Sequence, residues 1–171
     1  MNRLFSSQSF TGRRKGRRIN QALCAVSCAG AIACGTNDDE ARPVPLCLTQ
    51  PADATCTDVA YGIHNGTISP TFNEIFTRTL KPSCGSNGSC HAGPTAQNGL
   101  QLDDEATAYQ DLMSGNAAGT TARVIPNDVK CGELIVRLET PNETWTMPKG
   151  GHLPENLLCV IRHWIADGAQ P

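Results

Sequence analysis

Two cysteines and a histidine stand close together in Cys84-Gly-Ser-Asn-Gly-Ser-Cys90-His91. An imidazole directly after a thiol, with a second thiol upstream, is the residue set that holds haem covalently. The thiols add to the two vinyl groups and the imidazole reaches the iron from one side. The usual motif places two residues between the thiols; here five intervene, two of them glycine and two serine. Such an insert is pliable enough to loop outward. The bland reading of the same residues is a disulfide closing a small loop, with His91 exposed. Haem iron can use a second axial ligand, and Met147 in Thr146-Met-Pro-Lys-Gly150 is placed to supply one. A thioether there, opposite His91, gives His/Met ligation, which raises the reduction potential and suits electron transfer. Its bland reading is a flexible side chain plugging the end of a core. Met113 sits in a helical stripe and reads as core. His152 is a spare distal ligand, while His64, before an Asn65-Gly66 turn signal, and His163 read as surface residues.

Four helical segments must position these groups. The first opens at Thr71-Phe-Asn-Glu74, a capping box, carries Phe72, Ile75, Phe76 and Leu80 at helical spacing, and is expected to stop at Pro82. The second spans about 104–113, with Ala106, Tyr109, Leu112 and Met113 on one side; Asp103, Asp104 and Glu105 read as its start. The third covers about 128–138, with Cys131, Leu134, Ile135 and Leu138 as its stripe. The last has Pro154 at its first position and Gly168 beyond its end. Its broad face is Leu157, Leu158, Val160, Ile161, Trp164 and Ile165. Cys159 lies nearly opposite that face and reads as a disulfide partner. No alternating strand pattern appears after residue 69, so the expected class is all-α with long loops.

The N-terminus predicts export. Arg13, Arg14, Lys15, Arg17 and Arg18 precede an uncharged apolar run from Ala22 to Ala33, too short to span a bilayer. The run ends Ala31-Ile32-Ala33-Cys34-Gly35, which resembles a bacterial lipobox and makes Cys34 the candidate lipidation site; Cys28 is a poorer one. Expected divisions are a signal peptide over 1–33, a tether and irregular extension over 34–68, and a helical domain over 69–171. The localisation this implies is the cell envelope, on the periplasmic side of the inner or outer membrane. Net charge is −2, and the mature part has no basic block, so nothing argues for a nucleic-acid partner. Aromatic residues are 5% of the chain, which makes staples or an apolar cofactor useful to so small a core. Beyond Cys84 and Cys90, the cysteines Cys47, Cys56, Cys131 and Cys159 are candidate disulfides. Proximity favours Cys47–Cys56, and helix position favours Cys131–Cys159.

Ordered fragments throughout the domain resemble the small cytochrome c-like domains of exported bacterial lipoproteins of planctomycete and myxobacterial type. They are Ile75-Phe76 through Pro82-Ser83-Cys84, Cys90-His91-Ala-Gly93, Gly99-Leu-Gln-Leu102, Ala108-Tyr109 with Leu112, and Val124-Ile-Pro126. Glu133-Leu134 with Arg137-Leu138, Met147-Pro148 and Trp164-Ile-Ala-Asp-Gly-Ala169 complete the series. The resemblance implies a cytochrome c-like fold in which first and last helices cross beside haem c, with His91 proximal and Met147 distal. The function it implies is that of an anchored electron carrier serving redox partner proteins at a membrane, rather than a catalyst. The alternative is a haem-free, disulfide-stapled lipoprotein acting as a binding or envelope-structural module.

Overall fold

The computed structural model describes residues 44–86, 90–115 and 122–171. The chain divides into Met1–Ile32 and Ala33–Pro171, and every described residue belongs to the second part. The export signal, the lipobox and Cys34 lie outside the described residues, as does the middle of the Cys84–Cys90 insert.

The described part is mostly helical. A two-residue hairpin comes first, pairing β1 (Ile63–His64) with β2 (Thr67–Ile68) across an Asn65-Gly66 turn in which both residues have positive φ. That is the turn chemistry a tight hairpin requires. The first helical run is continuous in three parts: α1 (Phe72–Ile75), a π-helical stretch (Phe76–Leu80) and α2 (Lys81–Cys84). Thr71 caps it with both bonds of the capping box, the Glu74 amide donating to Thr71 Oγ1 and the Thr71 amide to Glu74 Oε2. Pro82 does not end this run, contrary to its expected role. Proline lacks the amide that an ordinary turn would use, and it lies in the first turn of α2, just beyond the wider π stretch.

Helix α3 (Glu105–Ser114) is capped by Asp104, whose carboxylate accepts the Thr107 amide at 2.9 Å, and stops at Gly115 with φ 91°. Its buried positions are Ala108 and Leu112, whereas Ala106 is exposed. Helix α4 (Glu133–Glu139) starts later than expected, after Gly132 at φ 113°. Residues 128–132 are not helical because they pair with the N-terminal extension: the Leu48 amide donates to Lys130 O, and the Gly132 amide to Leu46 O. Helix α5 (Glu155–Ala166) follows Pro154 and buries Leu158, Val160, Ile161, Trp164 and Ile165. Its contact with α1 runs through Phe72 and Trp164, whose ring centroids are 5.4 Å apart, with Tyr109 of α3 edge-on to Phe72 at 5.1 Å. Large rings buried in this way contribute more per residue than any aliphatic side chain, which suits an aromatic-poor chain.

The expected disulfide pairing is corrected. Cys47 is bonded to Cys131 and Cys56 to Cys159, at sequence separations of 84 and 103. Cys47 faces Cys131 in an antiparallel bridge, and the Cys56 carbonyl accepts from His163 Nε2 at 2.8 Å. The segment from residue 44 therefore lies along the helical domain, and each of its cysteines meets that domain rather than the other. Removing Cys56–Cys159 by double substitution to serine is expected to cost about 3–5 kcal/mol, measured by denaturant unfolding. Gly85→Ala is expected to cost about 3 kcal/mol or more, because an added Cβ would collide with the backbone carbonyl of Leu102.

Candidate functional site

Cys84 and the Cys90-His91 pair, three of the four residues flagged for haem chemistry, flank one segment of backbone. Cys84 ends α2, and Gly85 presses directly on the Leu102 carbonyl. The Leu102 amide in turn donates to His91 O at 2.7 Å. One extended residue, buried Leu102, thus separates the end of α2 from the histidine turn. The Gln97 amide donates to Cys90 O and the Gly93 amide to Asp103 Oδ2, so the 90–103 loop is closed on itself. The other oxygen of that carboxylate, Asp103 Oδ1, is buried without a hydrogen-bond partner among the described residues.

His91 is half-buried, and its Nδ1 lies 3.1 Å from the Leu100 carbonyl. A ring nitrogen facing a carbonyl must carry the proton, so Nε2 holds the lone pair. This is how protein-bound metals find their histidines oriented. Burial pushes the His91 pKa below its ordinary value, and the guanidinium groups of Arg137 and Arg123 push the same way, against the hydrogen bonds to backbone carbonyls. The result is a neutral imidazole of fixed tautomer.

Neither arginine is conspicuous in the sequence. Arg123 is almost fully buried; it donates to Asp111 O at 2.6 Å and Asn98 O at 2.5 Å, and the Asp111 and Glu133 carboxylates act on its charge against the cost of burial. It therefore ties the histidine loop to α3. Only its position after an uncharged Gly/Thr/Ala stretch marks it, and that predicts nothing. Arg137 forms an i,i+4 pair with Glu133 at 2.7 Å and donates to Trp145 O. Its own carbonyl accepts the Met147 amide at 2.9 Å. Arg137 thus links the loop bearing Met147 to the surroundings of His91. Thr140, Trp145 and Thr146 brace that loop through mutual hydrogen bonds, and the half-buried Met147 precedes a cis proline.

The two cysteines differ. Cys84 is a free thiol whose pKa is pushed up to about 11 by burial. Cys90 is disulfide-bonded, and not to Cys84. The small closed loop of the bland reading is therefore not formed. The remaining histidines have other surroundings. His152 is exposed, His64 bonds Glu74 Oε2 at 3.0 Å, and His163 bonds the extension. His91, with Nδ1 held by a carbonyl, the free Cys84 thiol and the Met147 thioether are donors of the types that a covalently held haem would use. It fits only after the Cys90 disulfide is reduced.

Comparison with protein families, with curated proteins and with solved structures finds no match to this chain. The site stands on its own geometry.

Because His91 is depressed when folded, the folded chain binds its proton less readily than the unfolded chain does. Its contribution to stability is complete above pH 6.5, the ordinary value. It is lost as the pH falls from there through the folded value. The His91 ring protons are expected to titrate by NMR with a midpoint below 6.5; a midpoint at or above it would contradict the burial and the two-arginine field.

Proposed function

We propose that this domain binds haem c and carries electrons at a membrane surface to which Cys34 tethers it. The observation that carries this reading is the Leu100 carbonyl at His91 Nδ1, which leaves the Nε2 lone pair to ligate iron, while Cys84 is a free thiol at the end of α2. His91 is the proximal ligand, Met147 the distal ligand, and Cys84 and Cys90 are the thioether sites. The haem would supply the one-electron chemistry; the chain's residues orient it and tune its potential.

Each thioether forms when a thiol S–H adds across a vinyl C=C, so no net oxidation occurs. Cys84 is already a free thiol, so its S–H can add without prior reduction. Cys90 must first be released by a dithiol, which gives two electrons and two protons to the disulfide and is itself oxidised to a disulfide. Arg123 holds the histidine loop to α3, and Arg137 sets its charge near the His91 ring. Two cations there disfavour the more positive oxidation state of a nearby centre, an effect in the same direction as methionine ligation. The mostly helical shell, in which α1 and α5 touch through Phe72 and Trp164, supports the finer reading of a cytochrome c-like fold. Disulfides linking the extension to the domain suit an exported protein, and the proposed partners are redox proteins at the same membrane. No helix among the described residues is long and apolar enough to cross a membrane.

The test is the visible spectrum of the full chain made in cells that attach haem covalently. A Soret band that survives acidic acetone extraction is expected. A colourless protein, with Cys84 still a thiol by mass mapping, would leave the haem-free stapled module as the answer. In the coloured protein, Met147→Ala is expected to lower the potential by about 0.1 V or more, within the roughly 0.8 V that axial ligation spans. It should also admit carbon monoxide; an unchanged spectrum would remove Met147 from the ligand set.

A further inference from the structure

Away from His91, a second group of donor atoms gathers on the outer side of α5. Cys159 and His163 are four residues apart on that helix and therefore share one face. Cys56 reaches the same face from the extension. The two sulfurs and an imidazole nitrogen all lie within 4.8 Å of one another. His163 Nε2 faces the Cys56 carbonyl at 2.8 Å, which assigns the proton to that nitrogen and the lone pair to Nδ1. Cys159 is fully buried, and Cys56 and His163 are half-buried. Asp53 lies near enough for its charge to interact with His163, and its carboxyl is held below the usual range by hydrogen bonds from Thr55, with Arg162 and His163 adding to the effect.

We propose that Cys56, Cys159 and His163 form a redox-gated site for a zinc-type divalent cation. The site is closed while the disulfide stands and opens when a dithiol reduces it. Reduction transfers two electrons and two protons from the dithiol to the sulfur pair, giving two thiols and an oxidised, disulfide-form donor. The cation then displaces both thiol protons and takes two thiolates and the lone pair of the His163 ring. Two thiolates and one imidazole make a donor set zinc accepts, with a fourth position left for water or the Asp53 carboxylate. At ordinary zinc–sulfur and zinc–nitrogen lengths the donors of a tetrahedral site stand about 3.4–3.8 Å apart. Each donor in the observed cluster is within about an ångström or two of that spacing. The ion would join the same two segments that the disulfide joins, so the extension stays docked in both states. The site is independent of His91 and of the haem reading.

The experiment is equilibrium dialysis of the full chain against Zn²⁺, with elemental analysis, before and after treatment with excess dithiol under anaerobic conditions. Reduced protein is expected to bind one Zn²⁺ per chain at this site, and the oxidised protein none. The same stoichiometry is expected in Cys47→Ala/Cys131→Ala. His163→Gln should weaken binding by about tenfold or more, and Cys56→Ala/Cys159→Ala should remove it. If reduction loosens the helices, Zn²⁺ should restore the circular dichroism, and failure to restore it would overturn the proposal. Zinc uptake unaffected by His163→Gln, or persisting in Cys56→Ala/Cys159→Ala, would also overturn it by assigning the metal to other thiols. No uptake by the reduced chain would do the same.

Discussion

Helix α5 is covered on two sides, and the bond between Cys159 and Cys56 is what covers the second. One face presents Val160, Ile161, Trp164 and Ile165 to the core; the other would be open but for the extension stapled across it. Closing a 103-residue loop removes a large share of the unfolded chain's freedom. In a chain with few aromatic residues, that constraint stands in for hydrophobic area. Other contacts radiate from the same helix. Phe72 brings α1 onto Trp164. Arg162, itself buried, draws in Glu139 at the end of α4 and Glu155 at the start of α5. Burial opposes its charge, yet the two carboxylates hold its pKa above the ordinary value. Removing such an arginine would strand Glu139 rather than simply lose a pair.

The histidine loop is organised by a different economy, in which backbone carbonyls are the acceptors and buried cations the donors. Arg123 donates to one carbonyl of the loop, Asn98, and one of α3, Asp111, and Leu100 supplies the carbonyl that selects the His91 tautomer. The loop is closed by hydrogen bonds and anchored by buried Leu102, and its shape depends on Gly85 lying against Leu102 with no side chain between them. These contacts make the imidazole a rigid neutral donor before any ligand arrives. Preorganisation of this kind costs stability in the free chain and strengthens binding when a ligand is present.

Local patterns determined much of this molecule directly. The Thr71 capping box, the Asp104 cap, the Asn65-Gly66 turn and the broad face of α5 depend on neighbours a few residues away, so their positions could be read from spacing. The Cys84, Cys90, His91 and Met147 set rests on residue types in order, and the proposal of haem binding is built on it. What the sequence could not convey was partnership across distance. Cysteines nine residues apart looked like natural partners, but residues 46–48 pair with 130–132 and carry Cys47 to Cys131. Pro82 looked like a stop because its missing amide is a local fact, whereas its place within a continuous helical run depends on the π stretch before it. Arg123 and Arg137 carried no signal, since a guanidinium's role is set by which carbonyls and rings the fold brings within a few ångströms. Helix starts and turns follow from short-range sterics and hydrogen bonds. Disulfide pairing, the tautomer of His91 and the charge around it follow from long-range contacts, which exist only once the chain has closed.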